Sequence, residues 1–133
     1  MPHLTIDYSA RLGAAFDRAA LVRELHPLVI EESGSTGVCK TLLRPVETCV
    51  GDGVGEGDAF VHVEVGLKPG RSEALKGRLA ESIVALVGKH LRADGAVVSA
   101  EVRELAGSYR LDPPARADAY RGGTLRVCRP AAG

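Results

Sequence analysis

Tryptophan is missing altogether, and aromatic side chains make up only 4% of the 133 residues. A surface that stacks nucleic-acid bases has little to be built from here. An excess of charge of one sign is also lacking: 17 basic residues balance 17 acidic ones, so no global field draws the chain to nucleic acid or to an anionic membrane. The longest apolar run, Ile83 to Val87, is far too short to span a bilayer. Cysteine is scarce and unpatterned. Cys39, Cys49 and Cys128 form neither a Cys-x-x-Cys pair nor an even disulfide framework, which fits a reducing compartment better than secretion. The amino terminus lacks the basic and apolar regions of a signal peptide. These absences predict a soluble, cytoplasmic protein with neither nucleic acid nor membrane as partner. The zero net charge also favours self-association over colloidal repulsion.

Ordinary catalytic machinery is absent too. The four histidines, His3, His26, His62 and His90, fall in no metal-ligand spacing, and the cysteines do not complete a set. No Gly-x-Ser-x-Gly elbow, phosphate-binding loop or dinucleotide fingerprint occurs, and the glycines at 51, 53, 55 and 57 lack a following Lys-Ser/Thr. Neither a metal nor a cofactor is expected. What remains is chemistry at the chain terminus, or no chemistry.

The hydrophobic pattern, by contrast, is clear. Leu4, Ile6 and Tyr8 alternate with Thr5 and Asp7, which predicts a half-buried strand starting almost at the first residue. A loop over 9–13 precedes a helix capped by Asp17 and running to about Glu32, with Pro27 expected to kink or split it and Gly34 to end it. A second strand spans Val38 to Val46, at a sheet edge because of Pro45. After a glycine-rich connector over 48–58, a third strand runs from Ala59 to Leu67. A helix capped by Ser72 extends to about Leu91, with Leu75, Leu79, Ile83, Leu86 and His90 on one stripe. The Asp94-Gly95 turn closes it, and a fourth strand covers Val97 to Leu105. His62 and His90 read as satisfied core or interface residues.

The fold class is therefore α+β: two consecutive β-α-β units forming a four-stranded sheet, with both helices on one face. The other face is too polar for a dry core and is expected to meet a neighbouring subunit. Residues 1–105 form the domain. Residues 106–133 form an irregular C-terminal arm, with Tyr109 and Tyr120 as anchors and Leu125 and Val127 available for a short edge strand.

Removal of Met1, which the small second residue permits, leaves Pro2 with a free secondary amine. A terminal amine titrates not far above neutrality and burial lowers its pKa, so a rigid, buried Pro2 nitrogen is a candidate general base. Lys40 and Arg44 share one face of the second strand, and Arg71 sits at the turn opening the second helix, where backbone N–H groups also attract anions. An amine base among cations suits a dicarboxylate, which arginine forks bidentately.

Pro2-His3 leading a strand, His26-Pro27 in the first helix, Ala59-Phe60-Val61-His62 and Pro69-Gly70-Arg71-Ser72 together resemble the 5-carboxymethyl-2-hydroxymuconate isomerase family of the tautomerase superfamily, over residues 2 to 105. The resemblance implies a homotrimer in which three sheets surround a central barrel, and a cofactor-free isomerase of aromatic-compound catabolism. In it the proline nitrogen takes the enol proton of a 2-hydroxymuconate and a proton returns at a distal carbon, giving the conjugated ketone. Arg71 matches the family's Gly-Arg-Ser position. In the second strand Leu42 falls where relatives carry a basic residue, with Lys40 and Arg44 flanking it. Two other readings remain open at this level: a same-fold dehalogenase or hydratase of unsaturated acids, and a non-catalytic ferredoxin-like binding module.

Overall fold

In the computed structural model, residues 1–49, 51, 59–92 and 95–112 are described. β1 (His3–Ser9) lies at the centre of the sheet. Its alternation sends Leu4 and Ile6, both fully buried, and Tyr8 to one face, while His3, Thr5 and Asp7 point to the other. β2 (Lys40–Val46) runs parallel to β1, from His3 opposite Lys40 to Ser9 opposite Val46. β3 (Phe60–Leu67) pairs antiparallel with β1 on its other side, and β4 (Val97–Glu104) runs parallel to β3. The order β2-β1-β3-β4 makes β2 an edge strand, where Pro45 is tolerated.

This order also decides against the ferredoxin-like alternative. That fold splits each β-α-β unit by inserting another strand between its two parallel strands. Here β1 pairs directly with β2, and β3 directly with β4.

Asp17 accepts the Ala20 N–H at 3.0 Å and caps α1 (Arg18–Ser33), which Gly34 ends in the left-handed conformation at φ 67°. Of the kink or split expected at Pro27, the split does not occur: α1 runs without interruption through it. Pro27 and Arg23 are both exposed, so the carbonyl that the proline leaves without a donor faces water. Ser72 caps α2 (Glu73–His90) by accepting the Leu75 N–H at 3.1 Å. The segment expected as a loop after β1 is instead a 3-10 stretch, Ala10–Ala15. It buries Leu12 and delivers Phe16 edge-on to Tyr8, with ring centroids 5.5 Å apart.

α1 packs beside α2 over the sheet face formed by Leu4, Ile6, Val61, Val63 and Val65. Leu21, Leu25 and Val29 of α1 and Leu79, Ile83 and Val87 of α2 complete the core. Each fully buried aliphatic side chain there contributes about 1.5–3 kcal/mol. His90 ends up off this stripe: its Nε2 reaches Glu24 of α1 at 2.6 Å and ties the two helices together.

The opposite face is stitched by polar pairs. Arg44 forks Asp7 at 2.7 and 2.9 Å, Arg103 meets Glu64 at 2.5 Å, and His62 bonds Ser99 at 2.7 Å while stacking on Phe60. Leu42 and Val97, on the two edge strands, stay 45% and 44% exposed. The glycine connector over 52–58, Asp94 of the expected turn, and the arm over 113–133 with Tyr120, Leu125, Val127 and Cys128 lie outside the described residues.

One buried histidine sets a pH dependence. Burial holds the His26 pKa below its ordinary 6.5, and Nε2 lies 2.5 Å from Thr41 Oγ1. The native state then binds fewer protons than the unfolded one, so stability falls as pH drops below about 6.5 and its contribution is lost once pH passes the lower folded value. His3, also lowered by burial and then by Lys40, adds in the same direction. Urea denaturation of the parent at pH 7.5 and 5.5 should show the loss, and His26→Gln should flatten it. An unchanged slope in that variant would assign the loss to other groups.

Candidate active site

Pro2 stands at the mouth of β1 and is buried. Its carbonyl accepts the Lys40 N–H at 3.2 Å, which extends the β1–β2 pairing by one link and fixes the proline to the sheet. Beside it opens a cavity of about 470 Å³. The end of α1 supplies one wall through Gly34, Ser35 and Thr36; the β3–α2 turn supplies Lys68 and Arg71; and the chain beyond β4 supplies Tyr109, Arg110 and Leu111.

Arg71 is held where the turn and the helix end meet. Gly70, at φ 117°, takes a backbone conformation that a side chain would strain, and so directs the chain into the Arg71-Ser72 step. The guanidinium then donates from Nε to the Ser33 carbonyl at 3.1 Å, from Nη1 to the Lys68 carbonyl at 3.0 Å, and from Nη2 to Ser35 Oγ at 3.1 Å. A guanidinium has five N–H donors. These three bonds leave one N–H on each terminal nitrogen, in a fixed orientation, for an external acceptor.

Among the described residues lining the cavity, Lys68, Arg71 and Arg110 are cations, and none is a carboxylate. This field acts on the amino terminus. The Met1 amine is held below its ordinary 8.0 by burial first, then by Lys68, with Arg71 adding to the effect and Cys39 opposing it. A cavity with such walls attracts an anion and disfavours the charged form of an amine.

Of the residues named from sequence, Pro2 and Arg71 come together at this cavity. Lys40 and Arg44 do not line it. Arg44 is committed to Asp7 on the open sheet face, and Lys40 lies on the same face, level with His3. The second cation is Lys68, which sequence reasoning missed although it opens the same turn as Arg71. Arg110 and Tyr109 were missed because no periodicity places the segment beyond β4. One further cluster has metal-ligand chemistry: donor atoms of His62, Glu64 and Glu101 lie within 4.8 Å of one another. Glu64 is taken up by Arg103 and His62 by Ser99, so the group reads as cross-strand stitching.

Comparison with known proteins agrees with this fold. A model of the family described as 5-carboxymethyl-2-hydroxymuconate isomerase matches residues 2–112. A crystal structure of a 5-carboxymethyl-2-hydroxymuconate isomerase from Deinococcus radiodurans is similar with a TM-score of 0.70 and 25% identity, over 83% of this chain and 88% of that one. A 5-carboxymethyl-2-hydroxymuconate delta-isomerase structure aligns with a TM-score of 0.64 and 26% identity, over 84% of this chain and 87% of that one. A fused 4-OT symmetric trimer shares the fold at a TM-score of 0.66 and 15% identity, over 89% of this chain and 99% of that one. No curated protein sequence matches. With a four-stranded tautomerase fold, and a family match that covers most of its length, the chain is an isomerase and belongs to the 5-carboxymethyl-2-hydroxymuconate isomerase family.

Proposed function

We propose that this isomerase converts an enol dicarboxylate of the 2-hydroxymuconate type to its conjugated ketone without a cofactor, using the Pro2 amine as base once Met1 is removed. The nitrogen accepts the enol O–H proton. The electron pair moves through the conjugated system, and the same N–H⁺ returns a proton at the distal carbon, so atoms and charge balance within one turnover. Arg71 forks a carboxylate with its remaining N–H groups and Lys68 adds a point charge. Lys40 and Arg44 remain on the open sheet face, which a homotrimer would turn inward. Support for the trimer is the exposed Leu42 and Val97 on both sheet edges and the similar fold of the symmetric 4-OT trimer. The observation behind the whole reading is the buried proline at the edge of a cavity whose charged lining, among the described residues, is all cationic.

The test is a pH–rate profile of Met1-processed protein with 2-hydroxymuconate and the enol of phenylpyruvate. The base works as the free amine, so kcat/KM should rise with pH and level off as Pro2 loses its proton, with the midpoint displaced downward by the burial and nearby cations that act on the Met1 amine. Absence of ketonisation, or faster turnover of halogenated acrylates than of either enol, would overturn the assignment.

A further inference from the structure

We propose that the Tyr109 hydroxyl is a substrate-orienting hydrogen-bond donor of this cavity, delivered to it by the segment that follows β4. The inference rests on the enol-acid reading above and adds a neutral donor to its cationic walls. The backbone route is explicit. Leu105 N–H bonds the Leu67 carbonyl at 2.7 Å, which carries the β4–β3 pairing one residue past the end of β4. Gly66 lets Leu105 lie down there: a Cβ at residue 66 would meet Leu105 Cδ2 at 2.5 Å. The chain then turns, with Tyr109 N–H on the Ala106 carbonyl at 2.9 Å. Arg110 clasps the turn from its own side, donating from Nη1 to the Gly107 and Tyr109 carbonyls, both at 2.9 Å. Tyr109 is thereby set in the cavity lining with Pro2, Lys68 and Arg71.

Its hydroxyl oxygen is shut off from solvent and has no hydrogen-bond partner among the described residues. Folded proteins seldom leave such a group unpaired, and a group unpaired in a binding cavity is the one a ligand oxygen can satisfy. Met1 lines the same cavity, so its removal enlarges the space that Tyr109 borders. A tyrosine donor supplies direction without adding charge, which the lysine and arginine already provide in excess for one carboxylate.

The experiment compares the Met1-processed parent, Tyr109→Phe and Gly66→Val by titration calorimetry with cis,cis-muconate, by turnover of 2-hydroxymuconate, and by thermal unfolding with and without cis,cis-muconate. Tyr109→Phe should weaken muconate binding about tenfold, the equivalent of about 1.4 kcal/mol. It should raise KM more than it lowers kcat, and leave the ligand-free Tm unchanged because the hydroxyl has no bond to lose among the described residues. Gly66→Val, whose added side chain meets that of Leu105 and forces it to move, should weaken muconate binding as well. Parent-like binding by Tyr109→Phe, or a lower ligand-free Tm with binding intact, would overturn the proposal. A parent that binds muconate but turns over no enol would sink the isomerase reading alone, since the calorimetric comparison still decides the tyrosine's role.

Discussion

Acetylating the amino terminus of the Met1-processed protein should all but abolish enol turnover, at a loss of about 10²–10⁴-fold, while the fold and carboxylate binding survive. The magnitude follows from what general bases contribute, roughly 10²–10⁴-fold. An amide nitrogen has no basic lone pair, so nothing replaces the lost base: among the described lining residues of the cavity no carboxylate or imidazole is available. Survival of the fold follows from the proline's attachments. Its carbonyl, bonded to the Lys40 N–H, is unaltered by acylation, and the strand beyond it is anchored by Leu4 and Ile6 in the core. Pro2→Ala separates basicity from geometry. It retains an amine at the same place but frees the nitrogen from the ring, so kcat should fall about 10–100-fold with little change in Tm. Chromatographic assay of 2-hydroxymuconate, with intact mass to establish the terminus, measures both variants. Acetylated protein working at the parent rate would exclude Pro2 as the base.

How far the sequence reached can be judged from particular residues. The two β-α-β units were legible because burial on one face writes period two into Leu4-Ile6-Tyr8 and Val61-Val63-Val65, and because Asp17 and Ser72 are caps with a mechanism. Pro27 does not split α1, and the sequence does not show why: it sits on the wet side of the helix, where a freed carbonyl finds water. Arg71 was legible through the Gly70-Arg71-Ser72 step, a local turn that local residues specify. Lys40 and Arg44 drew attention for sharing a strand face, which they do. Alternation alone does not say which end of the sheet holds the cavity, nor that Asp7 lies directly opposite Arg44 and claims it. Tyr109 and Arg110 depend on how the chain turns after Leu105, whose side chain lies against Gly66 on a distant strand. Long-range packing of this kind leaves no periodic trace.

Arg71→Ala should produce the second large effect, a fall in kcat/KM of about 10²–10³-fold, since truncating one partner of a charge-assisted contact costs about 2–5 kcal/mol. Part of that cost is indirect. The side chain also joins the end of α1 to the β3–α2 turn through the Ser33 and Lys68 carbonyls, so removing it leaves two acceptors without a donor and should lower Tm as well. Two further variants divide the roles. Arg71→Lys keeps the charge but cannot span three acceptors and a substrate carboxylate together, so binding should weaken nearly as much as in the alanine variant. Lys68→Ala removes an exposed point charge while leaving the Lys68 carbonyl in place for Arg71. It should raise KM about tenfold with Tm unchanged, and the defect should shrink as salt screens the parent's own advantage. Thermal unfolding alongside steady-state kinetics at two ionic strengths reads all three. If Arg71→Lys matches the parent in kcat/KM, the fork is not what holds the substrate, and simple electrostatic attraction by the cavity walls accounts for binding.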